Sequence, residues 1–314
     1  MGALQWKDYG DQLTLLESRG LMVEDRNAAL NYLERIGYYK LSGYWYPFRK
    51  MKTNPTGYSY REDEFIPDSR FQEGVELYVF DKKLRLLALD ALERIEMAVR
   101  VDVAYCLGSY DAFAHHDVRY FDRNFTTKII RQKDSATGFQ LWHEGFDRLQ
   151  KRAKKEPFVA HNMKTHGQLP IWVGIEILDF GSISKLYAGL KYQDRNRIAQ
   201  KYQMQEKHFK SLLKSLNYIR NVSAHHSRLW NINVVEHASQ FHLDKHWSGI
   251  SANRAFFYFC GMQHLLQTIC PQSKWKERFK QHLTSFPDIT TNTATLADFG
   301  CKNNDLSSWP LWGK

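Results

Sequence analysis

Apolar residues recur at intervals of three and four from about Phe71 to Leu107, through Leu77, Phe80, Leu84, Leu87, Ala91, Ile95 and Val99. That spacing gathers them on one face of a single long helix. Lys82, Lys83, Arg85, Glu93, Arg94 and Arg100 decorate it, and Gly108 is placed to end it. A helix of this length dominates any fold that contains it, and the chain reads as mainly α.

Further helical patterns lie on either side. Asp25 is a suitable N-cap for a helix over residues 25–36, and Gly37 a suitable stop. The aromatic block from Tyr38 to Phe48 reads as helix or strand, and as packing material rather than a stacking surface. Residues 52–60, with Asn54-Pro55-Thr56-Gly57, read as an exposed loop. Asp111 to Asp134 reads as irregular connection, Phe139 to Lys155 as helix, and Pro157 and Pro170 as brackets of a connector. Ile171 to Tyr192 reads as a helix interrupted at Gly181, and residues 205–226 and 254–269 as two more helices. The division expected is an N-terminal helical and irregular extension (1–69), a helical core (70–285) and a polar C-terminal tail (286–314).

With 43% hydrophobic and 25% charged residues, the 314-residue chain has the composition of a globular protein. Its net charge of +10 favours a polyanionic partner, because each neutralised phosphate releases counterions. Cys106, Cys260, Cys270 and Cys301 are scattered, without a C-x-x-C pair. That argues against a zinc ribbon or a disulfide scaffold and for free thiols in a reducing compartment. His115, His116, His161 and His166 lack metal-site spacing and read as surface residues. No apolar run is long enough to span a bilayer, and the start of the chain lacks the apolar core of a signal peptide. A cytoplasmic protein without membrane, metal or cofactor is expected.

The chemistry-bearing stretch is Arg220-Asn221-Val222-Ser223-Ala224-His225, at the end of a helical pattern. An arginine fork suits the non-bridging oxygens of a phosphate, where charge develops as the bond breaks. A histidine, titrating near pH 6.5 when unperturbed, moves protons as acid or base. RNA carries its own nucleophile, the ribose 2′-OH, so such a pair is a kit for RNA cleavage. At about 100° per residue, side chains five apart point about 140° away from each other. Either the helix ends or bends at the motif, or two copies face each other and a C2 dimer builds the cleft.

Arg220-Asn221-x3-His225 resembles the signature of HEPN ribonucleases, and the wider chain resembles the Abi family of bacterial abortive-infection proteins, of the AbiD/AbiF type. The matching segments are 37–44 (Gly-Tyr-Tyr-Lys-Leu-Ser-Gly-Tyr), 84–87, 93–100, 169–172, 180–187 and 227–231, within a resemblance spanning roughly residues 8–270. The resemblance implies a HEPN-type helical bundle, a homodimer, and metal-independent RNA cleavage in antiphage defence. Arg220 and His225 would be the catalytic pair and Asn221 their polar accessory. His226 is an unusual neighbour, more readily solvated than catalytic. Glu96 and Arg100, four apart on one helix face, read as an ion pair or as a cluster supporting the active helix. Some relatives are encoded beside a small structured RNA. A non-catalytic ribonucleoprotein is therefore the main rival reading, with a protein-directed toxin a third.

Overall fold

One helix of 38 residues, Phe71–Gly108, runs through the middle of the chain. In this computed structural model, which describes residues 5–235, 238, 239, 241, 243–301, 306 and 308–313, it is α4 of fourteen α-helices among the described residues. Before it come α1 (Tyr9–Ser18), α2 (Arg26–Ile36) and α3 (Tyr38–Trp45), then the hairpin of β1 (Arg49–Thr53) and β2 (Ser59–Phe65). After it come α5 (Arg123–Thr127), the short pair β3 (Ile129–Arg131) and β4 (Ala136–Thr137), and α6 (Gly138–Arg152). The helices α7 (Pro157–His166), α8 (Ile171–Gly174), α9 (Phe180–Gly189), α10 (Tyr192–Lys201) and α11 (Glu206–Ala224) follow. The chain ends with α12 (Ala255–Ile269), α13 (Trp275–Leu283) and α14 (Leu296–Phe299). The protein is therefore mainly α-helical. None of the helices among the described residues is long and apolar enough to cross a membrane.

The chain divides into two compact units. The first comprises Met1–Leu87, His226–Ile232 and Lys276–Lys314; the second comprises Ala88–His225 and Asn233–Trp275. In the first, the aromatic block settles as helix α3 and a 3-10 turn, with Tyr44, Trp45 and Phe48 in the core. The Trp45 indole N–H donates to the Phe71 carbonyl at 3.0 Å. Gly74 clears space for that ring: a Cβ there would sit 2.1 Å from it. The chain after Pro287 adds Leu296, Phe299, Trp309 and Trp312 to the same core. In the second, α9, α11 and α12 carry the densest apolar faces, with Ile183, Leu186, Leu212, Leu216, Phe257 and Leu265 fully covered.

Three expectations are corrected. Residues 52–60 are only partly a loop. The β1–β2 hairpin extends into them, and Lys50–Glu64 and Lys52–Glu62 pair across it. Pro157 opens a helix rather than a connector, because at the first helical position its missing N–H costs nothing. The helix expected over residues 171–192 is interrupted at Leu178–Asp179 and again at Leu190–Lys191, not at Gly181. Asp179 caps α9 by accepting from the Ser182 N–H at 2.7 Å, and Gly181 lies inside the first turn.

Candidate functional site

The motif sits at the end of α11. Phe209, Leu212, Leu213, Leu216, Ile219 and Val222 form the buried face of this helix, each such side chain contributing on the order of 1.5–3 kcal/mol. The opposite face carries Lys210, Lys214, Asn217 and Asn221 at intervals of four, three and four, with Arg220 beside them. These residues line a groove of about 810 Å³ between α6, α9 and α11. Arg220 is half-buried at its edge, and its guanidinium donates to the Asn221 amide oxygen at 3.3 Å.

Glu96 lies near enough to Arg220 to feel its charge. Burial pushes the Glu96 carboxyl above its ordinary range, opposed by the positive charges of Arg100 and Arg220. Arg100 bonds Glu96 at 3.0 Å, Glu176 at 3.2 Å and the Leu178 carbonyl at 3.1 Å. It thereby ties α4 to the segment that leads into α9. The ion pair read from the four-residue spacing is present, with more partners than spacing alone reveals.

His225 lies beyond the last helical residue. It is exposed, it caps α11 with φ −87° and ψ 13°, and its N–H still donates to the Asn221 carbonyl at 3.0 Å. The backbone therefore carries the helical trajectory as far as the His225 nitrogen, and the divergence of Arg220 from His225 within one chain persists. The turn comes one residue later. His226 takes the left-handed conformation at φ 57°, which closes the helix. Its side chain is exposed and its carbonyl accepts from Lys40.

The chain after His226 is held by a buried polar network in the first unit. Asp81 is fully covered and pairs with Arg85. It accepts from the Tyr44 hydroxyl at 2.6 Å and from the Leu229 and Trp230 N–H groups at 3.1 and 2.8 Å. Burial pushes the Asp81 carboxyl up; the Arg85 charge and the donors act against it. Arg85 also reaches the Ser227 carbonyl at 3.4 Å, and Arg228 donates to the Gly43 carbonyl. Three matching segments that are far apart in sequence, 37–44, 84–87 and 227–231, thus meet in one place. Sequence reading missed the role of Asp81, although a signal existed: Asp81 and Arg85 occupy stripe positions between Leu77, Leu84 and Ala88 on the apolar face of α4.

A group that reads as surface in the sequence is partly buried. His115 is wholly covered, its ring 4.0 Å from that of His116, and His116 meets the His143 ring nitrogen at 2.7 Å. Burial holds His115 down at about 3, and in the first unit it holds His282 at about 4. Among the described residues no group of three or more His, Cys, Asp or Glu side chains is arranged to hold a metal ion. None of Cys106, Cys260, Cys270 and Cys301 is held in a disulfide.

A family model described as Abi-like protein matches residues 31–231, well over half the chain. The chain belongs to the Abi-like protein family. No curated protein and no solved structure matches it significantly. The matched region of this Abi-like protein contains Asp81, Glu96, Arg100, Arg220 and His225, so both polar networks lie inside it.

The held-down histidines give this Abi-like protein an acid-sensitive stability. Above pH 6.5 folded and unfolded chains both keep these imidazoles neutral. Below it the unfolded chain takes up protons that the folded one refuses, and stability is lost as pH falls towards the folded values. Each buried histidine should cost about 2 kcal/mol by pH 5, at about 1.4 kcal/mol per pH unit. Thermal melts between pH 7.5 and 5 should show the loss. In His115→Phe the contribution of that residue should disappear.

Proposed function

We propose that this Abi-like protein is an endoribonuclease of the HEPN type that acts in bacterial antiphage defence by abortive infection. It cleaves RNA without a metal ion. A base takes the proton of a ribose 2′-OH, and the 2′-oxygen attacks the adjacent phosphorus. The bond to the 5′-oxygen then breaks as an acid protonates it. The products are a 2′,3′-cyclic phosphate and a 5′-hydroxyl. His225 moves a proton in this sequence, and Arg220 holds the non-bridging oxygens as charge grows on them. Asn221 orients Arg220, to which it is bonded. Glu96 and Arg100 set the charge around that arginine from α4.

The observation that carries this reading is the placement of Arg220. It lies at the rim of a groove lined with cations, five residues before an exposed histidine that caps the same helix. Because the two side chains diverge within one chain, the working site is built by a homodimer, with arginine and histidine of two copies lining one cleft. The second unit has a surface suited to self-association. Met97, Val101 and Tyr105 form an exposed stripe on α4, and Trp172 is exposed as well. A chain that stayed single would hold RNA at Arg220 without cutting it, which is the ribonucleoprotein reading. RNA cleavage by the purified protein under chelation, with the product ends identified, separates the two.

A further inference from the structure

The groove beside Arg220 extends well past the motif, and its chemistry is lopsided. Arg148 of α6, Lys185 of α9, and Lys210, Lys214 and Arg220 of α11 line it. Among the described residues the one carboxylate in its lining is Asp179, which is committed to capping α9. Lys185 and Lys214 are exposed. Lys210 is 3.6 Å from Glu206, a carboxylate already bonded to Arg195, so little of its charge is quenched. Between the cations lie Asn217 and Asn221, amides able to donate and accept. Gly181 leaves room for Asn217 at the crossing of α9 and α11: a Cβ there would sit 3.2 Å from the amide.

The order of the cations along α11 has a direction. Lys210 and Lys214 are about 6 Å apart along the axis, and Arg220 stands about 15 Å beyond Lys210 at 1.5 Å per residue. The first step is comparable to that between successive phosphates of an extended single strand, and the second, about 9 Å from Lys214 to Arg220, is longer. The groove is concave and small. A duplex offers a wide, shallow minor groove and is read over many base pairs, whereas single strands are taken into such channels.

We propose that this groove is the track for the strand flanking the cut: single-stranded RNA lies along α11 with its phosphates on Lys210, Lys214 and Lys185, and Arg148 closes the opposite wall. The track delivers one phosphate to Arg220, and Asn217 meets the nucleotide next to it. This assignment rests on the ribonuclease reading for the place of the cut, but RNA binding by the groove is measured separately. The lysines of the track contact phosphates, which carry no sequence information, so binding is tolerant of sequence and sensitive to salt.

The test uses the full-length chain carrying His225→Ala, which leaves the RNA intact, and a fluorescent oligouridine read by anisotropy over a salt series. Lys185→Gln, Lys210→Gln and Lys214→Gln combined should weaken binding about tenfold and flatten the slope of log Kd against log salt by about 2, at about 0.7 per lost contact. The Lys→Arg triple variant should bind as the parent does. If the glutamine triple variant is less stable in thermal melts, Lys185→Gln with Lys214→Gln, both at exposed positions, should flatten the slope by about 1.4. A parental Kd and slope in the glutamine variants, or no RNA binding by the parent, overturns the track. If the triple variant loses binding while the wild-type protein binds RNA and leaves it uncut, the track stands and the ribonuclease reading falls. If it binds as the parent does and Arg220→Ala has lost cleavage, the track falls and the ribonuclease reading stands.

Discussion

Replacing either Arg220 or His225 by alanine should lower RNA cleavage by about 10²- to 10⁴-fold while leaving the fold intact. The size follows from what each group supplies. Removing a positioned acid or base forfeits a factor of roughly 10²–10⁴. Removing a donor aimed at developing negative charge forfeits about 10²–10³. Stability should hardly move. His225 is exposed beyond the last turn of α11, and Arg220 is half-buried with the neighbouring Asn221 as a hydrogen-bond partner. Single-turnover rates on a labelled RNA, taken with thermal melts, check both halves. The variants should also differ from each other. Arg220→Ala removes a phosphate contact and weakens RNA binding, whereas His225→Ala leaves binding near the parental value. Equal loss of binding in the two would assign His225 to the RNA-holding surface.

The second large effect concerns the fold. Asp81→Ala should destabilise the first unit by about 3–5 kcal/mol, the cost of stranding a buried charge. The change leaves the Arg85 guanidinium, itself only 3% exposed, without its carboxylate. It also orphans the Leu229 and Trp230 N–H groups and the Tyr44 hydroxyl. Each buried donor left unsatisfied costs about 1–3 kcal/mol. Arg85→Met should cost less, because Asp81 keeps three donors when its cation is gone. The double variant should cost less than the sum of the singles, since no charge is then left alone. Urea unfolding of the four proteins measures this. Wild-type stability in Asp81→Ala would show that the network contributes nothing to the fold.

The parts of this molecule that were legible in the sequence share a physical character. α4 was readable because its pattern extends over ten turns, α11 because it buries one continuous apolar face, and α12 because it is apolar and buried nearly all round. The β1–β2 hairpin was not, because Arg49–Thr53 and Ser59–Phe65 are largely exposed and held by cross-strand charges, so no alternation marks them. α7 was hidden because a proline that begins a helix and one that breaks it look alike without the geometry. His115 was read as a surface residue because a buried neutral imidazole leaves no periodic trace. In the site, the sequence offered Arg220, Asn221, His225 and the Glu96–Arg100 pair. It did not offer the cations across the groove, since Arg148 and Lys185 reach α11 only through packing of α6 and α9. Lys210, Lys214, Asn217 and Asn221 were within reach, as their spacing of four, three and four marks one polar face of α11.

Cleavage of single-stranded RNA by the purified protein in excess EDTA, with the product ends identified, tests the central claim most directly. The wild-type protein should cut at a rate unchanged by the chelator and leave 2′,3′-cyclic phosphate and 5′-hydroxyl ends, and the Arg220→Ala, His225→Ala double variant should leave the RNA whole. Cutting that stops with EDTA, cutting by the double variant at the wild-type rate, or RNA bound by the wild-type protein yet left intact would contradict it.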